Sequence, residues 1–188
     1  MNRLVLLGTG CPAPSHKRFG PSTLIEINGE RYLFDTGSGV TQRLNELGLK
    51  SSDIDLVFIT HIHSDHIVDL YQLYISGWHQ GRNKPFKIIG PVGIKHFFIK
   101  QLESYFDELK LRKEYELRPN EVGLDYEIIE IDDDFKFANK NLSIKPFYVD
   151  HAPVNPAYGF KINFKINKTE KSIVISGDTK KSENLIKE

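Results

Sequence analysis

His61-Ile62-His63-Ser64-Asp65-His66 follows directly on Ile54–Thr60 (IDLVFIT), the most strand-like run in the chain. That run is apolar almost throughout, as expected of a strand covered on both faces. It predicts a buried strand delivering the six-residue motif at its C-terminal end. His61 and His63 stand two apart, so in extended backbone they point to the same side and can clasp one metal ion. Asp65 and His66 come where the chain turns into a helix predicted over Ile67–Ile75, with apolar residues at 67, 70, 71, 74 and 75. They diverge at that turn and can serve a second metal nearby. The helix N-terminus favours an ionised Asp65 carboxylate. Three imidazoles and a carboxylate make a poor core, since each needs a polar partner if buried. Ligand density, order and position after a strand point instead to a metal site.

Working outward, the same arrangement recurs near the end of the chain. Ile173–Ser176 (IVIS) runs straight into Gly177-Asp178-Thr179. Two buried strands that each deliver candidate ligands suggest two related halves. Asp178 is suited to bridge two cations; its plainer reading is an Asx turn or a helix N-cap. His151 follows the predicted strand Leu142–Val149 and Asp150, and precedes Ala152-Pro153. A third histidine for the first metal could come from this strand end; the plainer reading is a turn histidine.

Around these points the pattern predicts strands at Leu4–Leu7, Thr23–Ile27, Arg31–Phe34, Lys87–Ile89, Glu127–Ile131, Phe135–Phe137, Leu142–Val149, Gly159–Ile166 and Ser172–Ser176. Asn28-Gly29 between two apolar runs is a strong hairpin signal. Residues 11–21 carry Pro12, Pro14, Gly20 and Pro21 and read as a loop. Asp35-Thr36-Gly37-Ser38-Gly39 reads as a turn into a helix over Val40–Leu47, with Gly48 as its C′ residue. Val92–Leu111 has the spacing of one long helix, 112–126 mixes charges and turn formers, and Ser182–Lys187 begins a polar helix. No linker or repeat tract interrupts the chain. The expectation is one α/β domain over residues 1–188.

A chain of 188 residues is long enough for one domain with a real core. Lys plus Arg number 25 and Asp plus Glu number 25, giving zero formal net charge. A protein that grips nucleic acid through phosphates usually carries a basic surplus, and none is visible. One cysteine, Cys11, excludes a disulfide framework and a thiolate zinc knuckle. The apolar run at Leu4–Leu7 is too short for a signal segment, and no stretch approaches a membrane span. A soluble, cytoplasmic chain is expected.

HIHSDH, the later His151 and Ser176-Gly177-Asp178-Thr179 resemble the metallo-β-lactamase superfamily. More narrowly, Leu7-Gly8-Thr9-Gly10 with Pro14, Arg18-Phe19-Gly20-Pro21-Ser22, and Phe34-Asp35-Thr36-Gly37-Ser38-Gly39-Val40-Thr41-Gln42-Arg43 look like the ribonuclease Z and arylsulfatase-like branch. The resemblance implies an αββα sandwich with metals at the strand ends. His61, His63 and His151 would hold one zinc, Asp65 and His66 the second, with Asp178 bridging. A metal-bridging hydroxide would be the nucleophile, because a metal lowers the pKa of bound water and two metals clamp the attacking and leaving oxygens. Asp65 could also orient that hydroxide or take its proton. With only nitrogen and oxygen donors, zinc is favoured, and manganese or iron are the alternatives.

The chain departs from the family pattern twice. The family places one more histidine well beyond the SGDT motif, and these 188 residues do not include it. The expected sandwich therefore lacks its C-terminal portion and has an incomplete second metal site. Members that process transfer RNA carry a basic arm, whereas the insertion between Pro91 and Asp132 mixes Lys100, Lys110, Arg112 and Lys113 with Glu103, Asp107, Glu108, Glu114 and Glu116. The leading function is a ribonuclease Z-like phosphodiesterase. Sulfate-ester or lactone hydrolysis is the alternative within enzymes, and a non-catalytic metal-binding domain the alternative outside them. The substrate would be a small anionic ester or RNA, and the resemblance implies a homodimer.

Other residues carry weaker signals. Asp35 could orient a metal-bound histidine or cap the Val40 helix. His16, Lys17 and Arg18 read as a solvated loop that could meet an anion. Trp78-His79-Gln80-Gly81-Arg82 reads as surface that could line a pocket mouth. His96 reads as exposed or structural, and Cys11 as a small packed residue.

Overall fold

The computed structural model describes residues 2–116 and 121–188. The element order begins β1 (Arg3–Gly8), β2 (Ser22–Ile27), β3 (Glu30–Phe34), α1 (Val40–Glu46) and β4 (Leu56–Phe58). Next come α2 (Ser64–Ile67), α3 (Leu70–His79), β5 (Phe86–Gly90), α4 (Ile94–Ser104) and α5 (Phe106–Tyr115). The chain finishes with β6 (Tyr126–Glu130), β7 (Phe137–Ala138), β8 (Leu142–Tyr148), β9 (Tyr158–Ile166), β10 (Thr169–Ile175) and α6 (Glu183–Lys187).

Two sheets form, ordered β1-β2-β3-β4-β5-β6 and β10-β9-β8-β7. In the first, β1 to β3 are antiparallel and β3 to β6 parallel. Alternate residues of the central strands serve two cores. Leu33, Val57, Ile59 and Ile88 pack with residues of α1, α3 and α4 on one face. Ile25, Phe34, Phe58 and Ile89 pack against Ile144, Phe160 and Ile162 of the second sheet on the other. This is helix on sheet on sheet, with α6 against β8 beyond. A strand buried on both faces reads as a continuous apolar run, which is why IDLVFIT stood out. Its regular part is short, Leu56–Phe58, but Asp55 and Ile59 extend the pairing to Lys87 and Ile89.

Three expectations need correction. The single helix over Val92–Leu111 is two helices, broken at Tyr105 (φ −108°, ψ 14°). The break lets Tyr105 stack flat on Tyr71 at 4.0 Å. Ile94 and Phe98 of α4 are buried, whereas α5 buries no residue. The turn-rich stretch 112–126 is helical as far as Tyr115; residues 117–120 of it lie outside the described residues. Finally, β10 is longer than the predicted Ser172–Ser176 and is not a buried strand. At the sheet edge it pairs with β9 and stays exposed or half-buried. The hairpin joining β9 and β10 turns through Asn167 and Lys168, both at positive φ (50° and 66°). A turn of that geometry normally takes glycine, so its sequence signal was weak. Asn28 (φ 52°) and Gly29 (φ 85°) make the corresponding turn where it was expected.

Candidate metal centre

The site lies where the C-terminal ends of β4, β8 and β10 meet. The chain leaves β4 extended, so His61 and His63 fall on one side before α2 begins at Ser64. His61 is fully buried. Its Nε2 lies 3.0 Å from His63 Nδ1, and His151 Nε2 lies 3.1 Å from the same atom. The three rings stand edge to face, with centroids 4.7 to 4.9 Å apart. His61, His63 and His151 thus form one converging donor group.

A second group consists of His61, His66 and Asp178. His66 Nε2 is 3.5 Å from Asp178 Oδ1 and 3.8 Å from Asp65 Oδ2. Asp65 sits beside this group, and its carboxylate does not converge with either triad. Asp178 meets His61 and His66 and stands outside the three-histidine group. All six expected ligands are therefore gathered, with His61 shared between the groups.

The donor chemistry fits a cation. His66 Nε2 is buried with no hydrogen-bond partner among the described residues, a costly state for a polar atom unless something binds it. Burial, together with the neighbouring His66, His151 and His63, holds His61 down to about pKa 3 and so keeps its imidazole neutral. At His66 burial works in the same direction, but the hydrogen bond to Asp35 and the charges of Asp35, Asp178 and Asp65 outweigh it and raise its pKa. His61 is thus held in the neutral form a divalent metal needs, whereas His66 favours its proton among the three carboxylates, a proton that a cation bound there would displace.

Asp35 takes the orienting role rather than the capping one. Its Oδ2 accepts from His66 Nδ1 at 2.8 Å, and its Oδ1 accepts from the Thr60 amide at 2.8 Å. Asp69 does the capping: its Oδ2 accepts the Gly39 amide at 2.7 Å, ahead of α1. Asp69 was not singled out in the sequence, because its partner lies thirty residues away and no local spacing marks it. Main-chain bonds from Thr36 to His66 and from Asp69 to Thr36 tie the Asp35 loop to the metal motif. That approach explains Gly37. A Cβ there would lie 2.4 Å from Gly20 C, 2.5 Å from Pro21 N and 2.6 Å from Asp65 O.

The loop at His151 is held to the SGDT turn by Asp150, whose carbonyl accepts from the Lys180 amide at 2.8 Å and the Thr179 hydroxyl at 3.2 Å. Other expectations fare differently. Trp78 and Arg82 are buried rather than at the surface, while Gln80 of the same segment borders a shallow cavity with Thr41, Asn45 and Ser76. Arg82 instead packs over Phe86 and Tyr74 and donates to the Tyr74 and Gly123 carbonyls, each at 2.8 Å. Cys11 is exposed, not packed, and together with Arg18, Gln42 and Ser64 it lines a cavity that reaches Asp65. His16, Lys17 and His96 are exposed.

A family model described as anti-Pycsar protein Apyc1 matches residues 2–188. The chain is similar to ribonuclease Z of Mycolicibacterium gilvum (strain PYR-GCK), at 34% identity over 185 residues, covering 95% of this chain and 62% of that protein. It is 32% identical over 182 residues to ribonuclease Z of Mycobacterium marinum, covering 95% and 63%. The chain thus spans less than two thirds of these curated relatives. Among solved structures, human tRNase Z, short form, superposes with a TM-score of 0.74 at 26% identity, covering 95% of this chain and 69% of that one. The metallo-β-lactamase fold protein YhfI from Bacillus subtilis gives 0.72 at 17% identity, covering 98% and 65%, a likeness of fold.

Proposed function

We propose, from the premise that the chain belongs to the family of the anti-Pycsar protein Apyc1, on the ribonuclease Z-like branch of the metallo-β-lactamase superfamily, that it is a metal-dependent phosphodiesterase. The observation that carries this reading is the pair of donor groups sharing His61. His61, His63 and His151 would hold one divalent cation; His66 and Asp178, with Asp65 alongside, would hold a second. Bound there, two cations would acidify a water and neutralise charge developing on the ester oxygens. Zinc suits the nitrogen-rich group, and manganese or iron the same donors less well.

The chain's own residues supply the rest. Asp65 stands on the first turn of α2, largely covered, with its carboxylate 3.8 Å from His66 Nε2. From there it is placed to orient a water and accept its proton. The cavity bounded by Arg18, Gln42 and Ser64 opens beside Asp65 and offers room and one cation to an anionic ester.

A small substrate fits better than a folded RNA. Lys100, Lys110, Arg112 and Lys113 of the inserted helices each stand within ion-pair distance of an acid, so among the described residues that surface is of mixed charge rather than the basic one that tracks a phosphate backbone. Metal content and turnover test the reading together. The expected result is two equivalents of zinc per chain and hydrolysis of bis(p-nitrophenyl) phosphate. One equivalent or none, without turnover, would leave a non-catalytic metal-binding domain instead. Faster turnover of p-nitrophenyl sulfate or of a lactone would shift the activity to the corresponding ester class.

A further inference from the structure

Thr60 is fully buried immediately before His61. Its Oγ1 lies 3.1 and 2.9 Å from the two oxygens of Asp35 and 3.0 Å from His61 Nδ1. A hydroxyl has a single proton, and an ionised carboxylate only accepts. The proton therefore goes to Asp35, and towards His61 the hydroxyl oxygen can only accept. His61 must then carry its hydrogen on Nδ1, which leaves the Nε2 lone pair facing His63. At His66 the same carboxylate acts directly: it accepts the Nδ1 hydrogen, so that Nε2 is the ring atom turned towards Asp178.

We propose that Thr60 is a positioning residue for the centre: its hydroxyl, held by Asp35, locks His61 in the Nδ1–H tautomer, so that one carboxylate orients an imidazole of both donor groups. The metal consequence rests on the metal-dependent reading above. The geometry is over-determined on every side of Thr60. Its amide donates to Asp35 at 2.8 Å, and its carbonyl accepts the Tyr158 amide at 2.9 Å. Its Cβ and methyl close on Gly177, where an added Cβ would lie 3.0 and 3.2 Å away. The hydroxyl is thereby fenced towards Asp35 and His61. Thr60 also touches both halves of the site, since Tyr158 begins β9 and Gly177 precedes Asp178.

The test uses Thr60→Val, which keeps the shape and removes the hydroxyl, and Thr60→Ser, which keeps the hydroxyl. Two quantities are measured: the ring tautomer of His61 by nitrogen-15 NMR on the metal-free chain, and zinc affinity by chelator competition. The wild type and Thr60→Ser are expected to show Nδ1–H. Thr60→Val is expected to lose that preference and to bind zinc about 10–100-fold more weakly, the usual loss when an outer partner of a ligand is removed. An unchanged His61 tautomer in Thr60→Val overturns the proposal, as does a changed tautomer with wild-type zinc affinity or a serine variant that behaves like valine. If the wild-type chain binds no zinc, the hydrolase reading falls, while the metal-free tautomer still decides the role of Thr60.

Discussion

His66 Nε2 stands 3.5 Å from Asp178 Oδ1, so a candidate ligand from the turn after β4 and one from the turn after β10 face each other across the junction of the two sheets. Neither residue could form a site alone. His66 is buried beneath the helix-covered sheet, whereas the Asp178 side chain is about half exposed (49%) at the edge of the other. The ring that meets Asp178 is aimed from behind by Asp35. Several consequences of this arrangement can be measured.

Asp35 serves the His66 ring and both the amide and hydroxyl of Thr60. Asp35→Ala leaves those buried donors without an acceptor, which costs about 1–3 kcal/mol for each group left unmade. Urea denaturation is expected to show a loss on the order of 3 kcal/mol or more. The main chain here has φ 60°, a conformation asparagine tolerates better than alanine, so Asp35→Asn is expected to lose less. Equal losses in the two variants would contradict this account.

Asp65 has no structural partner as strong as that of Asp35. Its removal is therefore expected to spare the fold and strike turnover. Asp65→Ala should keep a wild-type circular dichroism spectrum and melting curve while phosphodiester hydrolysis falls about 10²–10⁴-fold, the usual range for a lost general base. Near-normal rates would remove Asp65 from the chemistry.

Gly37 is hemmed in by main-chain atoms of Gly20, Pro21 and Asp65, none of which can swing aside like a side chain. Gly37→Ala is expected to destabilise the chain by about 3 kcal/mol, at the upper end for overpacking, and to weaken zinc binding by displacing the turn that carries Asp65. A folded Gly37→Ala protein with wild-type melting and metal affinity would show that this contact yields freely.

Glu26 in β2 lies between Arg3 and Arg31, accepting from Arg3 Nε and from Arg31 Nε at 2.9 Å. Burial alone would raise its pKa, but the two arginines outweigh burial and hold it below 4.5. A folded-state pKa below the unfolded one stabilises the protein above the unfolded value, and that stability is lost as pH falls through the folded value. The wild type should therefore lose more stability than Glu26→Gln as pH drops below 4.5. Urea midpoints between about pH 6 and 3, spanning the ordinary glutamate range, check this; parallel curves for the two proteins would refute it.

The elements legible in the sequence were those whose signals are local. IDLVFIT announced a strand buried on both faces because its residues serve two cores at once. Asn28-Gly29 announced a hairpin because its turn needs positive φ at both residues. The Asn167-Lys168 turn meets the same geometric demand with residues that advertise it poorly, so the start of β10 at Thr169 has no clear local signal. The break at Tyr105 was invisible because its cause, stacking on Tyr71, lies in another helix. Arg82 read as surface for the same reason: a charged residue looks solvated until the carbonyls of Tyr74 and Gly123 are seen around it.

The sequence by itself determined the set of candidate metal ligands, the strand-end positions of HIHSDH, His151 and Asp178, and the family to which they point. Spacing along an extended chain decides which side chains share a face, and that much is written in residue order. Only the tertiary structure decided that His61 stands in both donor groups, that Asp178 groups with His61 and His66 rather than with His63 and His151, and that Asp35 and Thr60 stand behind the candidate ligands. Those relationships depend on how two sheets pack and how closely the Gly37 turn can approach Asp65. Such contacts join residues far apart in the chain through burial and hydrogen bonding, which no short stretch of sequence records.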